Sequence, residues 1–421
     1  MVTLDAIQSL IKRYRKVRGI TERLCKNLET EDYVIQPIDF VSPPKWHLAH
    51  TTWFFETIIL QKFMKDYMVF HESYNYIFNS YYESLGPRVG REYRGTLSRP
   101  TVKDIRDYRA YVDENMRILF QHEFLPETLM ELVELGIQHE QQHQELLIYD
   151  IKYILFSNPL KPAYFHHIPV TLSSNALVPD LEFKDYSGGM KFLGMNEEGF
   201  AWDNEKPYHK VYFENFKVAN RLITNGEYLE FIQDKGYEDY RLWLDDGFKC
   251  IKEKNIKAPL YWTEKDGEWM EFTLYGLQVL NPALPVCHMS FYEAVAFATW
   301  KGKRLLTEAE WETVAKANES SKKSGNFMES DFFHPRVLNT DGRVNQLFGD
   351  VWEWTSSSYQ PYPGYQPYDG PLSEYNGKFM INQVVLRGGS CATPKDHIRA
   401  TYRNFFQPEH RWLFSGIRLG E

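Results

Sequence analysis

The chain has 421 residues, more than one ordinary hydrophobic core holds, and this length predicts two domains. Its hydrophobic content of 43% and charged content of 25% are typical of a globular protein and exclude a disordered chain. The formal net charge is -9, and no block of Lys and Arg suits a phosphate backbone, so nucleic acid is not an expected partner.

The N-terminal segment MVTLDAIQSLIKRYRKVRGI predicts an amphipathic helix rather than a signal peptide, because it lacks an apolar core. No apolar run reaches membrane-spanning length, so no membrane is expected as a partner. The cysteines are far apart in the sequence and form no C-x-x-C pair, which is typical of reduced thiols. We therefore expect a cytoplasmic protein.

The first 157 residues show mostly helical patterns. Apolar residues recur at helical spacing over residues 3 to 29, and SPPKWHLAHTTWFFETIILQKF opens with prolines suited to the start of a second helix. A loop rich in Tyr, Gly and Arg covers residues 70 to 100. Thr101 can then cap a third helix, and Pro126 starts a fourth. Four helices with one long loop predict a bundle, whose core is a usual place for a metal site.

The second half of the chain has a different texture. Residues 158–185 contain four prolines and no helical period, which predicts a linker. Residues 186–421 alternate short strand-like runs with long loops, as in an irregular α+β domain. Two helices stand out there because each begins with a capping box. The boxes pair Ser290 with Glu293 and Thr307 with Glu310.

The segment GIQHEQQHQE contains the H-E-x-x-H pattern of zinc proteases. On a helix, His139 and His143 lie one turn apart on the same face, so both imidazoles can reach one ion. The positions at which a metzincin needs further residues hold Leu146 and Tyr149. A gluzincin ligand is missing too, because no glutamate follows Glu145 before the proline-rich linker. A zinc protease is therefore disfavoured.

A third ligand is available upstream, in PPKWHLAHTTWFFE. His47 and His50 are one turn apart on the second predicted helix, and a bundle can bring either beside the fourth helix. Three histidines on one side of an ion leave open positions, which suits a non-haem Fe(II) centre that binds O₂ and a substrate together. Three-histidine sites also hold zinc, so these ligands alone do not select the metal.

At this point the sequence resembles a known family. WHLAH followed by HEQQHQE looks like the DinB-type bundle of the ergothioneine-pathway sulfoxide synthases. The second half resembles their formylglycine-generating-enzyme-like domain, of C-type-lectin-like fold. Its matching segments are MSFYEAVAFATWKGKRLLTEAEWE, LFGDVWEWTSSSYQPYPGY, YNGKFMINQVVLRGGSCATP and HIRATYRNFFQPEHRWLFSGIRL. The resemblance implies a DinB-like four-helix bundle over residues 1–157 and an α+β domain over residues 186–421.

The resemblance also implies a reaction. Such enzymes use Fe(II) and O₂ to join a cysteine-type thiol to the imidazole of hercynine, and they oxidise the sulfur to a sulfoxide. The implied metal ligands are His50, His139 and His143, which leaves His47 a structural or supporting role. A thiolate is a soft ligand that suits iron, and placing the imidazole near it supplies much of the rate.

The family also needs an acid near the O₂ site, because a proton delivered there favours C–S bond formation over dioxygenation of the thiol. Tyr82, ranked first, and Tyr81 match the adjacent tyrosine pair of one branch of the family. In another branch a tyrosine of the second domain has this role. The alternatives here are Tyr359, Tyr362 and Tyr365.

Substrate-binding residues follow from the same comparison. Arg88 and Arg91 match an R-x-x-R pair that holds the carboxylate of the thiol substrate, a task suited to the planar guanidinium. Arg94 and Arg99, in the same loop, are expected to be solvated. Gln142 matches a glutamine that contacts the imidazole substrate.

The segment RNFF bears on the choice of substrates. Asn404 matches an asparagine of the hercynine pocket, and Phe405 can offer a ring face to the quaternary ammonium. Relatives that use γ-glutamylcysteine carry an acidic residue where this chain has Phe406, so free cysteine is the predicted thiol. NFF also occurs in ovothiol-type synthases, which act on histidine and cysteine. Their usual C-terminal methyltransferase domain is not seen here, and this alternative is disfavoured.

Other readings stay open as alternatives. A selenium-donor synthase on the same scaffold falls within the same reaction class. A formylglycine-generating oxidase is disfavoured because Asp396, rather than a second cysteine, stands five residues after Cys391. A non-catalytic binding module is disfavoured by the histidines and by the loop that carries arginines and tyrosines.

Overall fold

The chain divides into two compact units. The first comprises Met1–Tyr164 with Asp369–Tyr375, and the second comprises Phe165–Tyr368 with Asn376–Glu421. The computed structural model describes residues 4–122, 124–169, 177–338 and 343–421. Residues 170–176 of the predicted linker lie outside the described residues, and the domain boundaries drawn from the sequence stay a prediction.

The first unit is helical, as the sequence predicts. Its helices are α1 (Leu4–Arg23), α2 (Pro44–Phe54), α3 (Gln61–Phe63), α4 (Tyr74–Phe78), α5 (Val102–Leu119) and α6 (Glu127–Ser157). The four long ones are the predicted four. Helix α1 ends earlier than its apolar pattern does, because the amides of Cys25 and Lys26 turn back to carbonyls only three residues away. Helix α4 lies inside the stretch predicted as loop.

Helix α2 occupies the centre of the first unit. All eleven of its residues are buried, and Pro44 stands in its first turn, where the missing N–H costs nothing. The helix continues into a wider π-type turn over Phe55–Leu60. A side chain at Gly136 of α6 would lie 2.6 Å from the ring of Phe55, so the glycine is what lets this turn approach α6. The approach brings α2 and α6 side by side.

The second unit holds the β-strands. In the described part of the chain they are β1 (Phe183–Tyr186), β2 (Gly189–Leu193), β3 (His209–Phe213), β4 (Phe216–Ala219), β5 (Trp262–Lys265), β6 (Glu268–Thr273), β7 (Gly276–Val279), β8 (Arg304–Leu305), β9 (Trp352–Ser358), β10 (Val384–Arg387), β11 (Asn404–Phe406), β12 (Ser415–Gly416) and β13 (Leu419–Gly420). They form four small sheets, ordered β1-β4-β13-β8, β11-β10-β9-β12, β2-β3 and β5-β6-β7. All strand pairs are antiparallel except β12 with β9.

The α-helices in the described part of the second unit are α7 (Asn225–Gln233), α8 (Asp245–Glu253), α9 (Phe291–Trp300) and α10 (Glu308–Ala317). The capping boxes predicted at Ser290 and Thr307 are both present, at the starts of α9 and α10. The mixture of short strands and helices confirms the predicted irregular α+β class. Among the described residues, no helix combines the length and the apolar character that crossing a membrane requires.

Candidate metal centre

Three histidines converge in the core of the first unit. His50 comes from α2, and His139 and His143 come from successive turns of α6. One ring nitrogen of each lies within 4.8 Å of the others, and Nε2 of His50 is 3.2 Å from Nε2 of His139. Two nitrogens bound to one ion at about 2.1 Å are separated by about 3.0 to 3.4 Å at octahedral or tetrahedral angles. The spacing therefore fits a metal ion.

The protonation of these rings also fits a metal ion. Burial lowers the pKa of His139 to about 3, and burial together with His139 lowers the pKa of His50. Both rings are thus neutral near pH 7. Nδ1 of His50 lies 2.6 Å from the carbonyl oxygen of Phe78, so it carries the proton and leaves the Nε2 lone pair facing His139. Neutral imidazoles with converging lone pairs are suited to iron or zinc.

The fourth histidine of this region, His47, has a different position. Its Nε2 lies 2.9 Å from Oδ2 of Asp150, and its Nδ1 lies 3.0 Å from Nδ1 of His143. It does not belong to the converging set of three. Trp46 stacks on His50 with ring centroids 4.5 Å apart, and Trp53 covers the other side of His50 at 5.4 Å. Helix α2 thus holds the ring of His50 between the indoles of Trp46 and Trp53.

Glu140 of the H-E-x-x-H pattern is occupied elsewhere. Its carboxylate accepts hydrogen bonds from Arg109 at 2.5 Å, from Thr21 at 2.6 Å and from Arg18 at 3.0 Å. Burial acts to raise the pKa of Glu140, but the two guanidinium groups outweigh it and hold that pKa at about 2. A carboxylate fixed in this way is no general base for a water at the histidines. The structure therefore argues against protease chemistry.

The predicted tyrosine pair is separated from His50 by the ring of Trp53. The rings of Tyr81 and Tyr82 stack with centroids 4.7 Å apart, and Tyr82 also lies 5.6 Å from Trp53, the residue that covers His50. Tyr82 is fully buried, and burial followed by the neighbouring Tyr81 raises its pKa. The phenol therefore keeps its proton at neutral pH.

Sequence reasoning missed a third tyrosine. The segment Asp369–Tyr375 packs in the first unit, and Tyr375 brings its ring within 5.9 Å of His139 and 6.0 Å of Tyr81. Its hydroxyl donates to Oε1 of Gln142, the residue predicted to contact the imidazole substrate. A signal was present but weak: Tyr375 is the first residue of the family-matching segment YNGKFMINQVVLRGGSCATP, yet it is one of 28 tyrosines and nothing local places it near the histidines.

The segment that carries Tyr375 is fastened to the tyrosine loop by its neighbour Glu374. The carboxylate of Glu374 accepts from the backbone amides of Glu83 and Ser84, each at 3.0 Å, and from the Ser84 hydroxyl at 2.8 Å. These contacts fall directly after Tyr82. The segment thus holds Tyr375 and the Tyr81–Tyr82 pair in one local arrangement.

The arginines of this loop differ in environment. Arg88 pairs with Glu83, and Arg91 donates to the carbonyl oxygen of Phe40. Arg99 is exposed, as predicted, whereas the prediction for Arg94 was wrong. Arg94 is 5% exposed, and its guanidinium lies 3.4 Å from the ring centre of Trp46. The cation–π contact with Trp46, together with hydrogen bonds to two serines, keeps this guanidinium buried.

The Arg94 guanidinium donates hydrogen bonds to two hydroxyl groups, Oγ of Ser42 at 2.9 Å and Oγ of Ser80 at 3.1 Å. Its Nε–H is buried and has no hydrogen-bond partner among the described residues. Burial, followed by the charge of Arg91, lowers the pKa of Arg94. A buried guanidinium without a carboxylate at hydrogen-bond distance favours an anion nearby.

The remaining predicted residues belong to the second unit. Asn404, Phe405 and Phe406 form β11, which pairs with β10. Phe405 stacks on Tyr359 with centroids 3.9 Å apart, and Phe406 meets Trp412 edge to face. The alternative tyrosines make contacts within this unit. Tyr359 accepts from Asn204, Tyr362 accepts from Arg387, and Tyr365 donates to Asp203.

Comparison with known protein families agrees with this two-part organisation. Residues 13–147 match the DinB superfamily. Residues 186–341 and 338–420 match the sulfatase-modifying factor enzyme 1-like domain. The helical unit with its three histidines and the unit of small sheets thus correspond to two known domain types, which confirms the predicted fold class.

The chain is also similar to curated proteins. It is 33% identical over 317 residues to the hercynine oxygenase of Mycolicibacterium smegmatis, covering 68% of this chain and 70% of that protein. It is 34% identical over 251 residues to the hercynine oxygenase of Mycolicibacterium thermoresistibile, covering 54% of this chain and 55% of that protein. It is 32% identical over 229 residues to ergothioneine biosynthesis protein 1 of Schizosaccharomyces pombe, covering 52% of this chain and 27% of that protein.

The matches therefore span from about a quarter to about seven tenths of the length of these relatives. The histidine cluster in the DinB-type unit and the following sulfatase-modifying-factor-like unit occur in one chain and in this order. With its two domain types and these relatives, the chain belongs to the DinB/sulfatase-modifying-factor family of hercynine oxygenases and ergothioneine biosynthesis proteins.

Proposed function

We propose that the protein is an Fe(II)- and O₂-dependent oxygenase of ergothioneine biosynthesis that forms hercynylcysteine sulfoxide from hercynine and cysteine. The observation that carries the proposal is the cluster of His50, His139 and His143 with the phenol of Tyr375 beside His139. The relatives named hercynine oxygenase support the acceptor.

The proposed reaction balances without a further reductant. One S–H bond of cysteine and one C–H bond of the imidazole are broken, and a C–S bond and an S=O bond are formed. The four electrons reduce O₂, so that one oxygen atom enters the sulfoxide and the other leaves as water with the two hydrogens. Iron at the three histidines would supply the one-electron chemistry that O₂ requires, together with open positions for O₂ and the thiolate.

The phenols are the proposed proton donors. Tyr82 and Tyr81 keep this role from the sequence, and Tyr375 joins them because its ring lies beside His139. Burial keeps Tyr82 protonated, so a proton is available from this side of the site at neutral pH. A donor here would lead the reaction toward C–S bond formation, whereas its loss would leave cysteine sulfinate as the oxidation product.

The cysteine carboxylate is the proposed partner of Arg88 and Arg91. To bind it, Arg88 would exchange its contact with Glu83, whose side chain is exposed, at little cost. Gln142 is proposed to contact the imidazole. Because it now accepts from Tyr375, a substrate that takes this amide also places the Tyr375 hydroxyl close to the reacting ring.

Asn404 and Phe405 are the proposed contacts of hercynine in the second unit. Phe405 already stacks with Tyr359, and such ring faces attract a quaternary ammonium. Phe406 packs against Trp412 and offers no carboxylate to the amino group of a γ-glutamyl substrate. Free cysteine is therefore the proposed thiol.

The proposal is tested by anaerobic loading with Fe(II), exposure to O₂ with paired substrates, and mass spectrometry of the products. Hercynine and histidine are each combined with cysteine and with γ-glutamylcysteine. We expect hercynylcysteine sulfoxide from hercynine and free cysteine. Product only with γ-glutamylcysteine would overturn the conclusion from Phe406, and a histidine-derived sulfoxide would indicate the ovothiol-type reaction. A protein that keeps zinc and forms no product with any pair contradicts the proposal.

The proton donor is tested by Tyr82→Phe, Tyr81→Phe and Tyr375→Phe in the same assay. Each variant keeps its ring, so iron binding should remain. We expect the ratio of sulfoxide to cysteine sulfinate to fall most in the variant that has lost the donor. An unchanged ratio in all three variants would remove the phenols from the mechanism.

A further inference from the structure

His47 lies between a carboxylate and one of the metal-binding histidines. Its Nε2 is 2.9 Å from Oδ2 of Asp150, and its Nδ1 is 3.0 Å from Nδ1 of His143. His47 and Asp150 are each 2% exposed, so water does not compete for these contacts. Both ring nitrogens of His47 are engaged, and neither is left to bind a metal.

The contacts in the series Asp150–His47–His143 determine which ring nitrogens carry protons. A carboxylate accepts hydrogen bonds and donates none, so Nε2 of His47 carries a proton. Nδ1 of His143 faces Nδ1 of His47, so Nε2 is the nitrogen that His143 offers to the cluster with His50 and His139. A ring that binds a metal through Nε2 carries its proton on Nδ1, so Nδ1 of His47 is the acceptor. The donor across the 3.0 Å contact is then Nδ1 of His143. His143 is left with its lone pair on Nε2.

We propose that Asp150 and His47 are positioning residues that hold His143 in the Nδ1–H tautomer and direct its Nε2 lone pair to the metal. Metal-binding histidines usually donate their second N–H directly to a carboxylate or a carbonyl oxygen. His50 does so through Phe78. For His143 the carboxylate acts through a second imidazole, which explains why two histidines one turn apart on α2 have different tasks.

The Asp150 carboxylate, which accepts from His47, is itself held in place. Oδ2 of Asp150 also accepts from the backbone amide of Ser42 at 2.8 Å. A backbone amide can only donate, so the atom facing it must be an acceptor. An asparagine at position 150 would therefore place its carbonyl oxygen there and keep the tautomer of His47, whereas leucine would not.

Two substitutions of His47 separate the two contacts. The amide of asparagine reaches about as far as Nδ1 of histidine, and the amide of glutamine reaches about as far as Nε2. His47→Asn thus keeps an acceptor for His143 and loses Asp150, whereas His47→Gln keeps Asp150 and loses the acceptor for His143. His122→Gln, at an exposed position of the same unit, is the matched control.

The first measurement is the affinity for Fe²⁺ and for Co²⁺ under anaerobic conditions, by competition with a chelator. We expect His47→Gln and Asp150→Leu to raise the metal Kd about 10- to 100-fold, the usual cost of losing such a contact. His47→Asn and Asp150→Asn should stay closer to the wild type. Equal Kd values in all variants, or equal losses in His47→Asn and His47→Gln, would overturn the proposed role.

The second measurement is ¹⁵N NMR of the metal-free protein with labelled histidine, because protonated and unprotonated imidazole nitrogens have well-separated shifts. We expect His143 as the Nδ1–H tautomer in the wild type and a changed signal in His47→Gln. A wild-type His143 with its proton on Nε2 contradicts the proposal.

The role of Asp150 and His47 rests on the metal centre of the proposed function, but different results would refute each of them. If the wild-type protein does not bind metal, the metal centre is refuted. If substitutions of His47 leave the metal affinity unchanged, only the positioning role of Asp150 and His47 is refuted.

Discussion

Two polar clusters lie on neighbouring stripes of α6, about 60° to 100° apart around the helix axis. One contains His139 and His143, and the other contains Glu140. In the glutamate cluster, opposite charges and hydroxyls meet at 2.5 to 3.0 Å. The histidine cluster instead brings the lone pairs of neutral imidazoles together.

The surroundings of the two clusters differ in the same sense. Among the described residues, the buried polar atoms without a hydrogen-bond partner include Trp46 Nε1, Arg94 Nε and His139 Nδ1 around the histidines, but also Gln144 Oε1, whose side chain contacts Thr21 of the glutamate cluster. Buried polar groups normally find partners, and a group of exceptions in one place calls for an explanation such as a bound ion or a catalytic role. The glutamate cluster is therefore interpreted as structural, and the histidine cluster as a site that a ligand completes.

The largest expected effect separates the clusters by function. His50→Ala, His139→Ala and His143→Ala should each abolish retention of Fe(II) and lower sulfoxide formation by more than about 100-fold, beyond the cost of losing a supporting contact. Iron content and product yield are the measurements. Thermal unfolding of each metal-free variant is the control. Full activity in one variant would remove that residue from the ligand set.

The next effect falls on stability. Glu140→Gln removes the charge that Arg18 and Arg109 share and should cost about 3 kcal/mol, because one partner of a buried ion pair is lost. Urea unfolding of the metal-free protein measures this cost. The metal ligands are untouched, so folded Glu140→Gln should still bind iron. A cost under about 1 kcal/mol would contradict the structural interpretation.

A pH dependence should distinguish the clusters further. The pKa of His139 is about 3 in the folded chain and about 6.5 when unfolded, so the unfolded state takes up its proton first. The stability present above pH 6.5 is lost as the pH falls toward 3, by about 2 kcal/mol between pH 7 and pH 5. Urea unfolding at both pH values measures it. His139→Ala should lose this share of the dependence, and an unchanged slope would contradict its cause.

The smallest effect tests whether the clusters are independent. Oγ1 of Thr52 on α2 accepts from Arg18 at 3.1 Å and from Arg109 at 3.3 Å. Thr52→Val should destabilise the metal-free protein by about 1 kcal/mol, the usual worth of such hydrogen bonds. Its affinity for Co²⁺ should equal that of the wild type, although His50 lies on the same helix. A weaker affinity would show that the two clusters are coupled.

Features governed by neighbours in sequence could be predicted. Thr101, Ser290 and Thr307 cap their helices as expected, because a capping box is defined within four residues. The pairing of His139 with His143 follows from the helical repeat in the same way. The tyrosine pair and Gln142 come from the family resemblance, and their roles stay predictions. Gln142 lies between the two histidines of α6, whereas Tyr82 contacts Trp53 and Tyr81 contacts Tyr375.

Features that depend on tertiary packing could not be predicted from local pattern. His47 and His50 are equivalent by spacing, and only the packing of α2 on α6 gives them different partners. Arg94 was expected in solvent because nothing local shows that Trp46 and two serines receive it. Tyr375 was missed because 233 positions separate it from Gln142.

That separation has a consequence for the protein during its synthesis. A ribosome that adds about 5 to 20 residues per second makes Tyr375 roughly 10 to 50 s after the last metal ligand. For that interval the nascent chain holds all three histidines while Gln142 lacks its phenol partner and the tyrosine loop lacks the Glu374 clamp. Under the proposed function, an unfinished chain would therefore bind its metal before the proposed proton donors are assembled around it.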